Sequence, residues 1–96
     1  MMSNLKLKLL GFHEKYNLII DEQSRLPHRK GKTDYSEIEN IIIRKAHELI
    51  RDINEFIIQS GNIPSQLYRD EVDNMIDGCH KLINNPYNRF GGRISL

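Results

Sequence analysis

The chain has 96 residues with 14 basic and 13 acidic side chains, giving a formal net charge of +1. That length supports one domain with one modest core, and the near-neutral total argues against a histone-like or tail-like nucleic-acid binder. The single cysteine, Cys79, excludes an internal disulfide and any cysteine-based zinc or iron–sulfur ligand set.

The N-terminal stretch from Met1 to Lys8 is basic but has no apolar run after it, so it does not read as a signal peptide. The longest apolar runs, Leu18-Ile19-Ile20 and Ile41-Ile42-Ile43, fall far short of the ~20 residues a membrane span needs. A cytoplasmic location and no membrane partner are expected.

Three segments carry helical periodicity. The first runs from about Ser3, a candidate N-cap, to Arg25. Leu5, Leu9, Phe12, Tyr16 and Ile19 recur at alternating spacings of four and three, one stripe of a 3.6-residue helix, which Leu10 and Ile20 widen. Two features oppose it. Leu5 to Leu9 alternates with strand period, and Gly11 costs about 1 kcal/mol against Ala inside a helix. The stripe continues well past both, so helix is expected, with a split near Gly11 as the alternative. Pro27 then disfavours helical geometry at Leu26 and opens a basic loop.

The second segment is capped by Thr33 or Asp34, with Glu37 at capping-box distance from Asp34. Ile38, Ile42, Ala46, Leu49, Ile53, Phe56 and Ile57 form its stripe, flanked by Ile41, Ile43 and Ile50, and Gly61 ends it. An apolar belt that broad favours self-association, because three helices do not easily cover it. The third segment opens at Pro64-Ser65. Tyr68, Val72, Met75, Ile76, Cys79, Leu82 and Ile83 keep helical spacing through the turn-prone pair Asp77-Gly78, where a glycine would allow close backbone approach. Asn84-Asn85-Pro86 stops it.

The expected fold is therefore all-α: a small antiparallel three-helix bundle over residues 1–86, or four helices if the first segment splits near Gly11. An irregular C-terminal tail of residues 87–96 would dock through Tyr87 and Phe90.

The balanced charge total hides segregation. Residues 1–33 carry a net +4, residues 34–77 a net −6 and residues 78–96 a net +3. On the second helix Glu37, Arg44, Glu48, Arg51 and Glu55 fall on one face and form i,i+3 and i,i+4 pairs, as on an ordinary solvated face. On the third, Asp70, Asp73 and Asp77 fall within about 60° on the outer face. Asp70 sits near the favourable helix start, but Asp77 lies mid-helix and repels Asp73 one turn back.

Catalytic constellations fail on spacing. His13-Glu14 and His47-Glu48 each begin a His-Glu-x-x-His motif, but Asn17 and Arg51 occupy the second ligand position. Cys79 and His80 are adjacent, hence about 100° apart on a helix, and Cys79 lies on the apolar stripe. Asp73 and Asp77 have no pocket or turn glycine to make an acid–base or calcium site. No phosphate-binding glycine loop is present, and Arg69 and His80, eleven apart, miss the Arg-x(4–6)-His spacing of a HEPN-type RNase. No enzyme activity, metal or cofactor is expected.

What remains is a protein whose surface acts. The size, helical layout and acid cluster resemble in type those of bacterial immunity proteins and antitoxins, many of which present acidic faces to basic nuclease toxins; no sequence motif carries the likeness. The expectation is stoichiometric inhibition of a basic protein partner through Asp70, Asp73, Asp77, Glu48, Asp52 and Glu55, with Tyr87 and Phe90 as anchors. The alternative is a nucleic-acid-associated or regulatory accessory protein using Arg25, Arg29, Lys30 and Lys32 with the basic tail. A homodimer is compatible with either.

Overall fold

A computed structural model of the chain describes residues 4–60 and 66–89. It contains three helices, α1 (Asn4–Gln23), α2 (Ser36–Ser60) and α3 (Gln66–Asn84), with no strand among the described residues. The expected three-helix bundle is the observed fold. Ser3, Gly61, Pro64, Ser65 and Phe90, all given roles from the sequence, lie outside the described residues.

α1 runs unbroken through Gly11, so the four-helix alternative does not occur. Leu9, Phe12, Tyr16 and Ile19 are buried on its inner face, and that packing outweighs the glycine cost and the strand-like start. Leu7, the middle leucine of the alternation, points outward and is 52% exposed. The helix ends two residues before the expected Arg25. Hydrogen bonds from Arg25 N to Glu22 O and from Leu26 N to Gln23 O tighten the last turn, and Leu26 swings into the core ahead of Pro27.

At the start of α2 the Asp34 carboxylate accepts the Ser36 amide at 2.9 Å. Tyr35 O accepts Glu39 N at 3.0 Å and begins the helical ladder. Asp34 thus satisfies one of the orphan amides of the first turn, as its residue type suggested. Ile42, Ala46, Leu49 and Ile53 are buried, with Ile38, Ile50, Phe56 and Ile57 packed against them.

α3 passes through Asp77-Gly78 without a break. A Cβ at Gly78 would lie 3.0 Å from Cζ and 3.1 Å from Cε2 of Tyr16, and closer still to its hydroxyl. Glycine is therefore what lets the α1 tyrosine reach the α3 backbone. Val72, Met75, Cys79 and Leu82 complete the core.

The helices run up, down, up. Phe12 meets Phe56 edge-on at 5.7 Å, and Lys15 reaches Asp52, so α1 and α2 are antiparallel. His13 lies beside Glu71, and Gln23 bonds to Pro86, so α1 and α3 run the same way.

Candidate partner-binding surfaces

α3 turns Asp70, Asp73 and Asp77 to solvent together with Asn74. Its buried stripe of Val72, Met75, Cys79 and Leu82 fixes that rotation. Lys81 Nζ lies 3.1 Å from the Asp77 carboxylate, one turn on, and softens the repulsion between Asp73 and Asp77. Glu71 points the other way, toward His13, with 3.6 Å between Oε2 and Nε2.

Glu48, Asp52 and Glu55 lie elsewhere. They occupy the flank of α2 next to α1 and form one wall of a groove. One end of this groove is a pocket of about 200 Å³ lined by Lys15, Leu18, Lys45, Glu48, Leu49 and Asp52. Its other end is lined by Lys8, Phe12, Asp52, Glu55, Phe56 and Gln59. Asp52 takes Lys15 at 3.3 Å and Arg51 at 3.7 Å. The six acidic residues grouped from the sequence thus form two separate surfaces. Arg51 turns to its neighbour Asp52 rather than to Glu55 one helical turn on.

The basic loop is partly neutralised. Arg25 pairs with Glu22, and Lys30 lies 3.7 Å from Glu39, while Arg29 and Lys32 are exposed. Glu39 also accepts the Tyr87 hydroxyl at 2.9 Å. Partial burial and this carboxylate hold the phenol pKa above its usual value. Tyr87 is half-buried against the core, so it anchors the chain's own C-terminal segment.

That segment is tied to the end of α1. The buried Gln23 amide donates to Pro86 O and Asn88 O, both at 2.8 Å. Arg89 donates to Leu26 O at 2.7 Å and to Gln23 O at 3.3 Å, satisfying carbonyls at the C-terminal end of α1. The apolar stripe does not mark Gln23, because a polar residue at the end of a helix carries no periodic signal.

Three interior groups bear on chemistry. Cys79 is fully buried, and burial pushes its thiol up to about 12, far from a reactive thiolate. Tyr16 is pushed up to about 12 by burial, with Cys79 and Asp77 adding to the effect. His13 is buried, and neither ring nitrogen has a hydrogen-bond partner. Among the described residues no three His, Cys, Asp or Glu side chains converge as metal ligands, and no helix is long and apolar enough to cross a membrane.

Scans against protein-family models, curated proteins and solved structures return no match to this chain.

Proposed function

We propose that the protein acts by stoichiometric binding to a basic protein partner, in the manner of an immunity protein or antitoxin, through the outer face of α3. The observation that supports this reading is that α3 holds three carboxylates, Asp70, Asp73 and Asp77, exposed on one strip of a single helix. An acidic strip on a rigid helix attracts a basic partner during encounter and fixes its register. Glu48, Asp52 and Glu55 lie on the α1 flank of α2 and are outside this strip.

The test is a pull-down from native lysate with the full chain and with the Asp70→Asn, Asp73→Asn, Asp77→Asn triple variant. The expected result is a basic protein held in one-to-one ratio by the parent chain and lost by the variant. Retention of the same protein by both chains contradicts the proposal. Recovery of nucleic acid that survives the Asn changes would favour the loop carrying Arg29 and Lys32 instead.

A further inference from the structure

The groove between α1 and α2 lies away from the α3 strip and has its own chemistry. Its floor is apolar, with Phe12, Ile19, Leu49 and Phe56 beneath, and Leu7 and Leu18 stand on its α1 rim at 52% and 59% exposure. Its walls differ in sign. α1 contributes Lys8 and Lys15, whereas α2 contributes Glu48, Asp52 and Glu55, with Lys45 at one end. Gly11 lines the same groove, and a Cβ placed there would touch nothing within 4 Å, so packing within the chain does not require a glycine at that position.

We infer that this groove binds a second copy of the same chain, forming a two-fold symmetric four-helix interface. A two-fold axis running along the groove keeps every residue at its own height and exchanges the two walls. Each basic α1 wall then meets the partner's acidic α2 wall. Lys15 and Asp52 are already level across the groove, as their 3.3 Å pair shows, so Lys15 also lies level with Asp52 of the partner subunit. Lys8 and Glu55 line one stretch of the groove with about one helical turn between their heights, a step that the long Lys8 side chain spans to reach Glu55 of the partner subunit. Because α1 and α2 are antiparallel, α1 packs antiparallel on the partner's α2, the arrangement of an up-down bundle. The exposed Leu7 and Leu18 become buried, and the glycine at 11 lets the facing helix approach closely. A surface on which opposite charges face each other across its own axis is self-complementary, as an isologous dimer requires. A basic or an acidic foreign helix would match one wall and be repelled by the other.

The test is the solution mass of the full chain by sedimentation equilibrium, together with a charge swap. At ~100 μM the parent chain is expected at twice its 11.3 kDa mass. Lys8→Glu alone and Glu55→Lys alone each place like charges across both symmetric contacts and should weaken self-association about tenfold or more. Mixing the two variants should restore a dimer, because each foreign contact is then opposite in sign. Both positions are exposed, so helicity by circular dichroism should be unchanged. Leu18→Glu serves as an independent variant and should also give a monomer. A parent chain that remains monomeric overturns the inference. So does a dimer that all three substitutions leave intact, or single variants that dissociate but fail to re-associate when mixed.

Discussion

Replacing Gly78 by alanine tests the packing of α1 on α3 at one atom. On an open helix face this change would stabilise by about 1 kcal/mol through helix propensity. Here the new methyl would lie 3.0 and 3.1 Å from two ring carbons of Tyr16 and closer to its hydroxyl. The ring cannot swing aside freely, because Tyr16 is 5% exposed and packed in the core. Overpacking of this kind costs roughly 1–3 kcal/mol, and relieving the closest contact needs a shift of the ring or of α3. The two effects leave a net loss of up to about 2 kcal/mol, or a fall in Tm of up to roughly 8–16 °C for a domain this size. Tyr16→Phe removes the oxygen nearest the new methyl, so the double variant should recover about 1 kcal/mol beyond additivity. Gly11→Ala, where nothing of the same chain lies within 4 Å, provides the control and should raise Tm at concentrations where the chain is monomeric. Urea and thermal unfolding of the four variants measure all of this. A Gly78→Ala variant as stable as Gly11→Ala would refute the claimed approach of Tyr16 to α3.

Three further outcomes are expected. Gln23→Ala removes both bonds to Pro86 and Asn88 and leaves buried carbonyls unpaired, so urea unfolding should show a loss of about 2 kcal/mol. Cys79 titrates from 9.0 in the unfolded chain to about 12 in the native one, and Tyr16 from 10.0 to about 12. Both native values are raised, so their contribution is complete below pH 9 and is lost as pH rises toward 12. Cys79→Ala should flatten that alkaline decline, and a thiol reagent at pH 8 should label Cys79 only after unfolding. Asp34 has a lowered pKa because its carboxylate accepts the Ser36 amide, so its contribution is present above the unfolded value of 3.8 and fades as pH falls through the native one. Asp34→Ala should lower Tm at pH 7 and have little effect at pH 2.5.

The helices were legible because a buried face repeats with the helix period, and among the described residues twelve of the thirteen buried apolar side chains lie on the three expected stripes. Leu26 is the exception, since it turns inward from the loop where no period exists. The glycine signal at 78 was also legible, since a turn-prone pair inside an unbroken stripe implies close approach. Which flank of α2 meets α1 and which meets α3 was not legible. That choice depends on the handedness of the bundle, which periodicity does not encode, and so Glu48, Asp52 and Glu55 were grouped with the α3 aspartates. The exposed apolar side chains were misplaced for a related reason. Ile41, Ile43 and Ile50 flank the α2 stripe and are half-buried, whereas the exposed ones are Leu7 and Leu18, off the α1 stripe beside the groove, and Ile58 near the end of α2. Gln23 and Arg89 act across 66 positions of sequence, which no local pattern could reveal.

The charged outer face of α3 carries the proposed binding function. The most direct test takes the captured partner, purified, and follows its association with the parent chain and the triple Asn variant across a range of salt concentrations. The expected result is a one-to-one complex whose association rate falls steeply with ionic strength for the parent chain and is slower and nearly salt-independent for the variant. Equal rates and equal salt dependence for the two chains would contradict it.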